Sequence, residues 1–140
     1  EAIGFGPLRD MLEEAGIGYE SAFRGNMEAL NDDAQTAVYR ICQAAAREAS
    51  RSRSVRRLLV RIDVGPGEDG HNEVQIQIDV EASPFQDFPF DPHPLPAISD
   101  RVVAQQGTYW TEPLNPGLRH KIRFLEDTTA LLRAHEIRGD

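Results

Sequence analysis

The chain has 140 residues, one cysteine and a formal net charge of −8. That length suits a single hydrophobic core, and the lone cysteine excludes a disulfide framework. No apolar run exceeds three residues, too short to span a bilayer, and an acidic chain is a poor general binder of nucleic acid, because neutralising phosphates needs a basic surface.

Pro7, Leu8, Met11, Leu12 and Ala15 predict a helix over 6–14, ended by Gly16 and Gly18. Residues 17–24, with Tyr19 and Phe23, read as a short strand, and 26–31 as a connection. Ala34, Ala37, Val38, Ile41, Cys42, Ala45 and Ala49 recur every three or four residues, which predicts a helix over 33–50 with one apolar face. Asn31, Asp32 and Asp33 offer capping groups for its first N–H donors. Cys42 lies on the apolar face and reads as a small buried side chain.

Leu58, Val60, Ile62 and Val64 alternate with polar neighbours, as do Val74, Ile76, Ile78 and Val80. Each run is a strand with one apolar face. The turn chemistry of 65–70 joins them as an antiparallel hairpin. Residues 83–97 hold Pro84, Pro89, Pro92, Pro94 and Pro96 among Phe85, Phe88 and Phe90. Proline at that density excludes a central strand or helix, so an extended loop with some rings buried is expected. A helix over 98–106, strands over 108–112 and 118–124, and a closing helix over 128–137 complete the chain. The order predicts an α+β fold: a two-layer sandwich with helices on one face of a mostly antiparallel mixed sheet. All 140 residues fit one domain, and the initial Glu1 suggests the C-terminal fragment of a longer protein.

Arg47, Arg51, Arg53, Arg56, Arg57 and Arg61 crowd one stretch with only Glu48 opposing them. They read as a solvated basic face, or else as a patch for phosphate or an acidic partner. No Ser/His/Asp set has a nucleophile spacing, and no His or carboxylate pair has a metal-ligand spacing.

The run from Leu30 to Gln43, and Tyr39-Arg40-Ile41-Cys42-Gln43 within it, resembles the lead into the ATP-binding domain of sensor histidine kinases. The nitrate and sugar-phosphate sensors are the most similar subfamily, and the element order over roughly residues 5–125 agrees. The resemblance implies a cytoplasmic domain that binds ATP and Mg²⁺, and allows an inner-membrane protein as its parent. Its implied partners are a response regulator or the dimerisation helices that precede such domains, with a homodimer formed through those segments.

The residues that would hold the nucleotide are replaced. The family's Glu, Asn and His on the long helix fall on Ala44, Glu48 and Ser52. Its Asp and two glycines after the following strand fall on Val80, Ala82 and Pro84. A carboxylate is needed there to accept from the exocyclic amine of adenine, and glycines to let the ligand approach the backbone. The glycine-rich lid gives way to the proline loop, and Gly117 alone keeps the last glycine position. The resemblance therefore points to a signalling domain whose ATP and Mg²⁺ sites are degenerate, acting through protein contacts. Phe85, Phe88 or Phe90 would fill the vacated pocket. Two other readings stand: an active kinase domain holding Mg²⁺ through Glu48, with Arg47 or Arg51 on the phosphates, and a docking module unrelated to kinases. No histidine lies on a helix with the flanking acid expected of a phosphoacceptor.

Overall fold

A computed structural model describes residues 5–67, 70–84 and 93–126. The expected closing helix over 128–137 and the rings of Phe85, Phe88 and Phe90 lie outside the described residues. The elements in order are α1 (Gly6–Glu14), β1 (Gly18–Arg24), a 3-10 turn (Met27–Ala29), α2 (Asp32–Arg51), β2 (Val55–Pro66), β3 (Asn72–Ala82), α3 (Pro96–Ala104), β4 (Thr108–Leu114) and β5 (Gly117–Leu125). They form the expected α+β sandwich. One five-stranded sheet, ordered β1-β2-β3-β5-β4, carries the helices on one face. β1 runs parallel to β2, and every other pairing is antiparallel.

Period-two patterning decides which strand faces meet the helices. Leu58, Val60, Ile62 and Val64 of β2 pair with Val80, Ile78, Ile76 and Val74 of β3, all buried. Ile122 and Phe124 continue this surface across β5. The opposite face is polar and stitched by ion pairs: Arg119 grips Asp79 with two hydrogen bonds of 2.7 and 3.0 Å, and Arg123 reaches Glu73 at 2.9 Å.

α2 buries Ala34, Ala37, Val38, Ile41, Cys42, Ala45, Ala46 and Ala49. Burial pushes the Cys42 thiol up to about 12, so this cysteine is core and not nucleophile. Phe5 packs edge-on against Phe23 of β1 and Tyr39 of α2, at 5.4 and 6.0 Å between ring centroids, and is itself buried. Several boundaries differ from the sequence reading. Gly65 and Pro66 pair with Glu73 and Asn72, so the hairpin ladder runs into the expected turn. Pro96 and Ala97 belong to α3, because proline fits a first helical turn where its missing N–H would have no partner.

Two features fix the ends of this architecture. At the start of α2, Asn31 accepts from the Ala34 N–H at 2.8 Å, and the buried Glu126 carboxylate accepts from the Asn31 N–H and from Asn72 Nδ2. Glu126 thereby ties the helix to β3 and the end of β5. At the other end of the sheet, Gly117 has φ +140° and lies against β3, where a Cβ would stand 2.2 Å from the Val80 carbonyl oxygen.

Glu126→Ala leaves two donors without their acceptor and is expected to destabilise the fold by about 1–3 kcal/mol. The check is a lower urea midpoint at unchanged slope. Gly117→Ala combines a strained φ with a backbone collision, and is expected to cost at least about 2 kcal/mol in the same titration.

Candidate functional site

The alanines of α2 that bring helix and sheet together also leave space at its C-terminal half. Ala45 and Ala49 face Val55, Val80 and Leu118 across a cavity of about 200 Å³. Leu95, just before α3, closes one side. Five polar residues also line it: Glu48, Ser52, Ser54, His93 and His120.

The structure brings together three of the six positions singled out in the sequence. Glu48, Ser52 and Val80 all line the cavity. Ser52 is the residue that ends α2, and its Oγ lies 2.8 Å from that of the buried Ser54. Ala44 instead lines a neighbouring groove of about 350 Å³ between α2 and the start of α3, which shares Glu48 and Leu95 with the cavity. Ala82 is buried away from the cavity and donates its N–H to the Pro116 carbonyl at 3.3 Å. Pro84 is exposed and lines neither space. Glu81 turns to the other strand face, where Arg56 lies 3.5 Å away.

His120 is the functional-looking residue that the sequence reading passed over. It shares a strand face with Leu118, Ile122 and Phe124, and that alternation was the signal that it points inward. It is 2% exposed. The Tyr109 hydroxyl accepts the Leu95 N–H at 3.0 Å and stands 2.8 Å from His120 Nδ1. The hydroxyl keeps both a proton and a second lone pair for Nδ1, so the direction of that bond follows the imidazole tautomer. Burial is the main cause that pushes the His120 imidazole down to about 4, with the charge of His93 adding to it and Asp79 opposing it. Burial likewise raises Tyr109, partly offset by the bond from Leu95.

Among the described residues this arrangement presents an imidazole, two hydroxyls and one carboxylate on mostly apolar walls. Among the described residues no three His, Cys, Asp or Glu side chains gather in a way that could hold a metal ion. His71 follows the hairpin turn, His93 precedes α3 and His120 lies on β5, so none of the described histidines sits on a helix. No described helix is long and apolar enough to cross a membrane.

The fold is that of histidine kinase catalytic domains. The histidine kinase AdeS of Acinetobacter baumannii superposes with a TM-score of 0.55 at 14% identity, over 88% of this chain and 61% of that one. The catalytic domain of histidine kinase ThkA, in a nucleotide-free form, gives 0.54 at 11% identity, over 87% of this chain and 88% of that one. The histidine kinase domain of a blue-light-activated kinase from Erythrobacter litoralis gives 0.52 at 11% identity over 91% of this chain. The chain spans only 61% of the lengths of the Acinetobacter and Erythrobacter chains. No protein-family profile matches the sequence, and no curated protein matches it.

The depressed imidazole makes stability depend on pH. In the unfolded chain His120 takes up a proton below about 6.5, whereas in the fold it does so only near 4. The unfolded state therefore binds the extra proton, and its stabilising effect is complete above about 6.5 and lost as pH falls toward 4. The loss is expected to reach up to roughly 3 kcal/mol. Urea titrations of the wild type and of His120→Phe over this window check it: the variant should show the shallower slope.

Proposed function

We propose that this chain is the ATPase-like domain of a two-component sensor kinase, or of a protein derived from one, that has lost Mg-ATP binding and signals by protein contact. The fold supports the kinase lineage. The observation that carries the loss is the chemistry of the cavity between α2 and the sheet. Val80 stands where an acceptor for adenine is required and is a buried hydrocarbon. Glu48 is the one carboxylate on the wall among the described residues, and it stands where the resemblance places a neutral asparagine beside the phosphates. A lone carboxylate also repels a polyphosphate. The residues present do not fit Mg-ATP.

The partner in this reading is a response regulator or the dimerisation helices of the parent protein, and a homodimer would form through those helices. The cytoplasm is the matching compartment. The replaced motif positions Ala44, Glu48, Ser52, Val80, Ala82 and Pro84, with Phe85, Phe88 and Phe90 in the proline-rich stretch of sequence, are the marks of a degenerate site in the nitrate and sugar-phosphate sensor lineage. The cavity's place between long helix and sheet, together with the fold, favours this reading over an unrelated docking module.

Calorimetric titration with ATP, with and without Mg²⁺, is the test. No heat at millimolar ATP is expected from the folded domain. Mg²⁺-dependent binding in the micromolar range, about −8 kcal/mol, would overturn the proposal. If Glu48→Ala then abolished that binding, the active-kinase reading would take its place.

A further inference from the structure

The arginine cluster noticed in the sequence separates in the structure. Arg56 and Arg57 pair with Glu81 and Glu20 on the sheet. Arg47 and Arg51 instead line the groove between α2 and α3, where Arg40 and Arg101 join them. Arg40 is engaged: its Nη1 donates to Gln43 at 2.9 Å and its guanidinium lies 5.7 Å from the Tyr39 ring centroid. Arg47, Arg51 and Arg101 have no carboxylate partner among the described residues. Like them, Glu48 makes no ion pair, and it sits on the boundary between groove and cavity. Three unpaired arginines converging on one groove are unexpected in a chain of net charge −8, where carboxylates are abundant.

The cavity supplies the other half of a site. Its apolar wall would take a flat hydrocarbon or heteroaromatic body. At native packing density about 150 Å³ of ligand fits, which is one bicyclic ring system. His120 is buried, its Nδ1 is held by Tyr109, and its Nε2 has no partner among the described residues. That nitrogen is available to hydrogen-bond a ligand in the cavity. We propose that cavity and groove together form a two-part site for a small amphiphilic organic anion, with a mono- or bicyclic ring in the cavity and one carboxylate or phosphate held by Arg47, Arg51 and Arg101. Arginine suits this role because its planar fork meets either oxyanion with two parallel hydrogen bonds. A single anionic group satisfies the groove without the repeated repulsion from Glu48 that a polyphosphate would meet. The inference builds on the reading of the cavity as a vacated nucleotide site, and gives that site a new ligand class.

The test uses naphthoate as the probe, titrated into the domain by calorimetry and followed by amide chemical shifts. Naphthalenemethanol and inorganic phosphate serve as controls for each half alone. Naphthoate is expected to bind and to shift residues of both α2 and β5, with each control at least about tenfold weaker. Arg47→Gln/Arg51→Gln changes only exposed side chains and should weaken naphthoate by about tenfold or more, with little effect on naphthalenemethanol. Ala45→Leu should block the ring. Should that variant misfold, Ser52→Phe at the end of α2 fills the same space. No naphthoate binding at millimolar concentration overturns the inference, as does binding that ignores the arginine substitutions. A parallel titration with ATP separates the two proposals. ATP silent and naphthoate silent leaves the lost-nucleotide reading standing and removes this one. ATP bound with Mg²⁺ and displaced by naphthoate removes the lost-nucleotide reading and keeps the two-part site.

Discussion

The seating of α2 on β2 and β3 is the constraint on which the rest depends. Its buried face is built from five alanines, a cysteine, one valine and one isoleucine among eight residues. Such short side chains let a helix axis come close to a sheet, and they make the fit sensitive to what stands opposite. Toward the N-terminal half, Phe5, Leu8, Leu12 and Leu30 contribute larger side chains to the shared core. Toward the C-terminal half, Ala45 and Ala49 meet only Val55, Val80 and Leu118, and the space between them stays open. One choice of small residues thus sets both the closeness of the layers and the place of the cavity. The Asn31–Glu126–Asn72 cluster holds the far end of the helix, so the open end cannot close by a simple shift along its axis.

A second, smaller device keeps the cavity from being purely hydrocarbon. The Leu95 N–H, the Tyr109 hydroxyl and His120 Nδ1 form a chain from the entrance of α3 through β4 to β5. A buried polar group is tolerable when it is bonded, and costly when it is not. Here each link satisfies the next, and the stacked rings of Tyr109 and His120 lie 5.9 Å apart. The chain also fixes Leu95, which belongs to both the cavity and the arginine groove. A ligand or a change of charge felt at His120 therefore bears directly on the start of α3.

Much of this was legible in the sequence, for a physical reason. The faces of α2, β2 and β3 follow from periods of three to four and of two, which depend only on local geometry. The first helix was read to the residue, since Pro7 and Gly16 mark its ends. The strand ladders were read short because hydrogen bonding continues past the last apolar side chain, as at Gly65 and Pro66. The candidate site was half legible. Glu48, Ser52 and Val80 converge as their spacing required, but Ala82 and Pro84 lie past the point where β3 borders the cavity. The inward direction of His120 was written in the alternation of β5, but its bond to Tyr109 and the place of Arg101 beside α2 are contacts between elements distant in sequence. The parallel pairing of β1 with β2 is likewise a long-range fact, with α2 as the crossover between them.

The distribution of charge carries the last step. Where the sheet faces solvent, several cations are matched by a carboxylate on a neighbouring strand: Arg57 by Glu20, Arg119 by Asp79, Arg123 by Glu73. Exposed pairs of this kind contribute little stability each, but each cancels part of the local field. The groove beside the cavity does the opposite, gathering arginines around a single glutamate on a molecule that is otherwise acidic. A field of one sign confined to a concave place draws anions there and repels them elsewhere. On the two-part reading proposed above, the cavity would then select among those anions by shape, admitting a ring and excluding a bare ion. Affinity would come from the groove and specificity from the cavity. The two meet at Glu48, the same position where the resemblance to kinases places an asparagine.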